Sequence, residues 1–136
     1  MPQVPLNPHE EALVTAFVAK QRRERYRHLL SQPDRRGKLL DRLNHHTDFL
    51  PAFSSSLPAG LHTVPQIADW LKNLGAPHTS YVIADDADLD GKTLPTDRAV
   101  DAAWSCSFAV IISCIPGKLA LYKPEAPEPC LVLRRP

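Results

Sequence analysis

A chain of 136 residues can bury one sizeable core and is short for two ordinary domains, so a single domain spanning 1–136 is expected. With 43% hydrophobic and 23% charged residues, it lies outside the low-hydrophobicity, high-charge range of disordered chains. A net charge of +1 and a pI of about 7.8 argue against the uniformly basic surface that strong non-specific nucleic-acid binding requires. No apolar run approaches the length of a membrane span. The opening MPQVPLNPHEE has neither the basic nor the apolar region of a signal peptide, so a cytoplasmic location is the default expectation, with no membrane partner.

The small net charge hides an asymmetry. Between Lys20 and Arg42 nine Lys/Arg face three acids, a local +6, whereas Asp85 to Asp101 alone sums to −4. Such a chain is polarised along its length, which bears on partners and self-contact more than on fold.

In chain order, residues 1–10 read as a loosely ordered lead-in that ends in a helix start. Asn7 is the N-cap, Pro8 the first helical residue and Glu10 the acid of a capping box. Leu13, Val14, Phe17 and Val18 share one helical face. The face lapses at Gln21 and Arg25, which predicts a break near Lys20 and a short second helix that buries Tyr26, Leu29 and Leu30. Ser31 to Asp34 has the S-x-x-D form of a helix start, and the helix beyond it presents Leu39, Leu40 and Leu43, with Gly37 weakening its first turn.

Residues 47–62 have no helical period and read as a long ordered loop tacked down by Phe49, Leu50 and Phe53. Thr63 and Gln66 then form a capping box around Pro65, Ile67 to Leu74 carries a clean apolar stripe, and Gly75 stops the helix. Tyr81 to Ala84 reads as a short strand, and Pro95 opens a helix through Trp104. Phe108 to Ile115 is an apolar run of strand length, which predicts burial on both faces. Pro116-Gly117 makes a type II turn into KLALY, and CLVLRR adds an edge strand. The fold class is therefore α+β: three to four N-terminal helices packed on a small C-terminal β-α-β-β(-β) sheet. Strand 81–84 is expected to run parallel to the central strand through a right-handed crossover.

Four groups of residues carry chemistry worth testing. The segment YVIADDADLDGKTLPTD places Asp86, Asp88, Asp90, Gly91 and, twelfth in the loop, Asp97 at the ligand positions of an EF-hand calcium loop. Calcium or magnesium would be the ion. The preceding strand, the short Asp97 and the helix-opening Pro95 favour an Asp-Gly turn between strand and helix instead, with no resident cofactor.

The basic segment, with Arg22, Arg23, Arg25, Arg27, Arg35 and Arg36, calls for anions. Arg23 and Arg27 repel each other at i, i+4, and phosphate, the acidic loop or a neighbouring chain would offset the cost. Cys106, Cys114 and Cys130 lack C-x-x-C spacing and read as reduced structural thiols. His45 and His46, with Asp48 nearby, point about 100° apart on a helix and suit its C-terminus better than a shared metal ion.

No glycine-rich phosphate loop, nucleophile elbow or H-E-x-x-H occurs, which leans away from an enzyme. The expected role is a small interaction or regulatory protein. It would bind a protein partner or itself through the basic helical segment and acidic loop, with Phe53, Trp70 or Trp104 as apolar anchors. Divalent-metal binding and nucleic-acid binding are the alternatives.

Overall fold

A computed structural model describes residues 6–45, 48–125 and 129–136. Five helices, α1 (Pro8–Phe17), α2 (Arg23–Ser31), α3 (Arg36–His45), α4 (Val64–Asn73) and α5 (Thr96–Ser105), enclose a six-stranded sheet. Its strands are β1 (Ser54–Ser56), β2 (Thr79–Ala84), β3 (Thr93–Pro95), β4 (Val110–Ile115), β5 (Leu119–Lys123) and β6 (Leu131–Arg134), in the order β1-β6-β5-β4-β2-β3. The α+β class holds, with the helices mostly N-terminal and the sheet mostly C-terminal. Among the described residues no helix is long and apolar enough to cross a membrane.

The two-residue period of the strands divides the core. Tyr81, Ile83, Ile111 and Tyr122 point toward α1, α2 and α3, where Leu13, Phe17, Tyr26, Leu29 and Leu40 meet them. Val82, Val110, Ile112 and Leu121 point the other way, toward Ile67 and Leu71 of α4 and Val100 and Ala103 of α5. The result is helix, sheet, helix. Strand β4 is covered on both faces, as its unbroken apolar run predicts.

Every neighbouring pair in the sheet is antiparallel, including β2 with β4, so the expected parallel pairing of strand 81–84 is corrected. The cause is β3. The Asp90-Gly91 turn, with Gly91 at φ +78°, sends the chain back along β2 until Pro95 lies opposite Thr79. Helix α5 therefore starts where β2 started and ends where β2 ended, and β4 enters with Val110 opposite Ala84. The helix has repeated the direction of β2, leaving β4 to oppose it.

Other boundaries moved for local reasons. The chain leaves α1 at Val18, which bridges to Phe49, and a 3-10 turn at Lys20–Arg22 fills the expected break. Ser31 caps nothing; its hydroxyl donates to the His28 carbonyl, and a 3-10 turn at Pro33–Arg35 separates it from α3. The stretch read as a loop over 47–62 contains a 3-10 turn at Pro51–Phe53 and the strand β1, which pairs with β6. Strand β6 is thus interior and the sheet's edges are β1 and β3. Of the lead-in expected over 1–10, residues 1–5 lie outside the described residues, while Pro8 to Glu10 are already helix and Glu10 is buried.

Thr63 and Gln66 form the reciprocal capping box, and Gly75 ends α4 at φ +104°. Gly37 has a packing reason beyond its weak helix propensity. A Cβ there would fall inside contact distance of the Asp85 carboxylate oxygen, which lies against the first turn of α3. Asp85 is exposed and its carboxylate can swing aside.

Replacing Gly37 by Ala should therefore gain less than the helix-propensity difference of about 1 kcal/mol, because the displaced carboxylate gives up its place at the first turn of α3. In an Asp85→Ala background the same change should stabilise by about 1 kcal/mol. Equal effects in both backgrounds, by urea denaturation, would refute the close approach.

Candidate functional site

Among the described residues, a dense ionisable constellation joins α1, α3 and the turn between β2 and β3. Glu10 is 2% exposed on the inner face of α1, and Arg36 opens α3 at 18% side-chain exposure. All five guanidinium N–H groups find acceptors. Nε and Nη2 donate to Asp90 at 2.6 and 3.0 Å, Nη1 and Nη2 to Glu10 at 3.0 and 2.6 Å, and Nη1 also to the Leu30 carbonyl at 3.1 Å.

The Tyr81 hydroxyl donates to Glu10 Oε2, and Asp90 Oδ1 accepts from the Ala84 amide. The Asp90 bond first, with Glu10 after it, holds Arg36 charged beyond the ordinary guanidinium range despite burial. Burial first, and then Glu10, pushes the Tyr81 phenol upward. Both groups keep their protons throughout the physiological range, so the arrangement is a fixed electrostatic clamp rather than a proton relay.

Beside it, His9 stacks on the Tyr81 ring, with centroids 5.2 Å apart, and its Nδ1 shares a 2.8 Å hydrogen bond with Ser113 Oγ of β4. Ser113 is buried in the strand. The pair satisfies the buried Ser113 hydroxyl on the α1 face of the sheet, much as Thr96 satisfies Ser80 on the other face at 2.7 Å.

Burial lowers the His9 pKa below its usual 6.5. Below pH 6.5 the unfolded chain therefore takes up this proton before the folded one. Stability linked to His9 is complete above pH 6.5 and declines as pH falls from there toward the lowered folded value. Wild type should lose more stability between pH 7.5 and 5.5 than His9→Phe, which keeps the stacking, as read from urea midpoints; parallel losses would rule the linkage out.

A second cluster anchors the basic segment. Asp48 accepts from the buried Tyr26 hydroxyl at 2.6 Å and from Arg42 Nε at 2.8 Å, with Arg22 Nε 3.9 Å away. Its backbone carbonyl accepts from the Ala19 amide. Arg27 is neutralised by Glu11 and Glu24, and Arg23 donates to the Val18 carbonyl, so the i, i+4 repulsion read in the sequence is met inside the chain. Arg25 and Arg35 are exposed and have no ion-pair partner among the described residues, and Arg22 is 51% exposed. Lys20 and Lys38 are exposed on the same helical layer.

Three of the four aspartates of the calcium-loop reading have separate polar partners. Asp90 is committed to Arg36, Asp86 accepts from the Asp88 amide at 2.9 Å, and Asp97 accepts from the Arg98 amide at the start of α5. Among the described residues no group of three or more His, Cys, Asp or Glu is arranged to hold a metal ion. His46 lies outside the described residues.

Cys114 is buried, and burial pushes its thiol up to about 11. Cys106 caps α5, where Lys123 Nζ donates to the Cys106 and Phe108 carbonyls at 2.7 and 2.8 Å. Trp70 and Trp104, expected as anchors, are half-buried against the α4–α5 core, and Phe53 lies 3.8 Å beneath the Arg135 guanidinium.

Asp97 opens onto a different feature. Between α4 and α5 runs an open groove of about 360 Å³, lined by Val64, Pro65 and Ala68 and by the carboxylates Asp69, Asp97 and Asp101. Lys72 and Arg98 also reach it. None of these charged groups is ion-paired among the described residues.

The sequence reading missed Glu10, Tyr81, His9 and Ser113 as a unit. The signal was there: Glu10 precedes Leu13, Val14 and Phe17 at i, i+3, i+4, i+7, and Arg36 stands in the same relation to Leu39, Leu40 and Leu43. A charge on each core stripe has to be paired. Compared with known proteins, the chain matches no family model, no curated protein and no solved structure.

Proposed function

We propose that this chain is a small non-catalytic interaction protein that binds an acidic macromolecular surface through the exposed part of its basic helical layer. One observation carries the reading: the partly covered cations Arg27, Arg36 and Arg42 are spent on internal anions, while Arg25 and Arg35 stand exposed and unpaired among the described residues, on a helical layer that also exposes Lys20, Arg22 and Lys38. Arg36 fixes α3 against α1 and the acidic turn, so this basic surface is held on a rigid frame before any partner arrives. Exposed charges of one sign raise association rates and select partners of the opposite sign, with apolar contacts supplying the remaining affinity.

The test is charge reversal at positions with no structural partner. Arg25→Glu together with Arg35→Glu should leave folding intact and weaken capture of the partner at least about tenfold, roughly 1.4 kcal/mol, with the loss concentrated in the association rate at low salt. Capture that survives the double reversal, measured again with the purified partner, would remove the basic layer from the interaction. A fluorescent single-stranded oligonucleotide is the parallel probe. Tight binding with a steep salt slope would replace the protein partner by a nucleic acid.

A further inference from the structure

The α4–α5 groove and the basic layer lie on opposite faces of one sheet. Helices α1–α3 cover the face carrying Tyr81 and Ile111, and α4–α5 cover the face carrying Val82 and Ile112. The two surfaces cannot meet within one chain. We propose that they meet between chains: the groove of one copy receives an exposed arginine of the basic layer of a second copy, giving head-to-tail self-association. This rests on the reading of the basic layer given above and names its acidic surface.

Two features of the groove fit an arginine. Its lining from Val64, Pro65 and Ala68 offers apolar cover for the methylene stem. Asp97 and Asp101 stand one helical turn apart on α5, and Asp69 faces them from α4, so carboxylates flank the channel from both helices. A planar guanidinium matches such carboxylates better than an ammonium does. Lys72 and Arg98 add cations at the same groove, which limits its net negative charge and keeps the contact weak.

A second copy is the favoured occupant because of the charge distribution of the whole molecule. At a net charge of +1, copies barely repel one another, while the exposed cations Lys20, Arg25, Arg35 and Lys38 and the groove with its three carboxylates are held on opposite sides of the sheet. Because one surface binds a different surface, the contact is heterologous and extends into chains or closes into a ring instead of stopping at a dimer.

Sedimentation velocity of the full chain over a range of protein concentrations tests this. At low salt the average mass should rise with concentration beyond that of a dimer, and at high salt it should return to the monomer. Asp69→Lys with Asp101→Lys disables the groove alone, and Arg25→Glu with Arg35→Glu disables the basic layer alone. Each double variant by itself should remain monomeric. Mixed in equal amounts, they should form one-to-one dimers and nothing larger, since each brings one live surface. Asp69→Asn with Asp101→Asn serves as the milder groove variant should the lysine pair fold poorly, and it should shift the association midpoint at least about tenfold.

A wild type that stays monomeric at low salt overturns the proposal, as do double variants that still self-associate alone or a mixture that stays monomeric. A monomeric wild type whose capture of another protein is abolished by the Arg25 and Arg35 reversals would sink self-association while leaving the function of the basic layer standing.

Discussion

Replacing Arg36 with Met should cost roughly 3–5 kcal/mol of folding stability, because it removes the cation from a carboxylate pair in which Glu10 is 2% exposed. The loss comes from what is left behind. Methionine fills much of the volume, but Glu10 keeps only the Tyr81 hydroxyl and Asp90 keeps only the Ala84 amide. The companion change Glu10→Gln should therefore recover a large part of the loss, since a neutral amide needs no counter-charge. Urea unfolding of the single and double variants measures both effects. A penalty for Arg36→Met below about 1 kcal/mol, the range of exposed ion pairs, would mean that Glu10 reaches water.

Asp48→Ala should destabilise by about 2–3 kcal/mol through a different group, the Tyr26 hydroxyl, which is buried and donates to Asp48 at 2.6 Å. Arg42 contributes less, because its head is partly in water. Adding Tyr26→Phe to Asp48→Ala removes the stranded hydroxyl, and the double variant should be more stable than Asp48→Ala alone. Strict additivity of the two single losses would contradict this arrangement. The prediction matters for partner binding, since Asp48 ties the 3-10 turn carrying Arg22 to α2 and α3.

Much of the fold was legible wherever a pattern had one physical meaning. The Thr63 capping box, the stripe through Leu71, the Gly75 stop, the double burial of Val110 to Ile115 and the Gly117 turn all have local causes, and all are found. What escaped had distant causes. Ser54 to Ser56 carry no apolar alternation and are strand only because Leu131 to Leu133 offer them backbone partners. Thr93 to Pro95 is strand only because β2 lies beside it, and that short strand decides that β4 runs antiparallel to β2.

The candidate site divides in the same way. That the basic segment calls for anions was readable from Arg23 and Arg27, but not that they would lie inside the chain; the partners, Glu11, Glu24 and the Val18 carbonyl, are set by how α1 and α2 pack. The acidic turn drew attention for its spacing, whereas its contribution is one side chain, Asp90, delivered to Arg36 from 54 residues away. The groove that Asp97 lines could not be read, because Asp69 and Asp101 share it only after α4 and α5 have docked side by side.

The pairing of Ser54 to Ser56 with Leu133 to Leu131 also sets a timetable for the chain as it is made. During synthesis the three helices that carry the basic residues emerge before the sheet, with Arg36 present before Asp90 has been added and β1 exposed before β6 exists. The nascent basic half therefore has Glu10 but not yet Asp90 to balance Arg36, and it carries an open strand edge, a state prone to capture by polyanions or by other strands. Closing the turn at Gly91 delivers Asp90 to Arg36, and β6 then supplies β1 with its partner. Strand β6, made after the other five described strands, shields an edge of β1 that has waited since β1 was made.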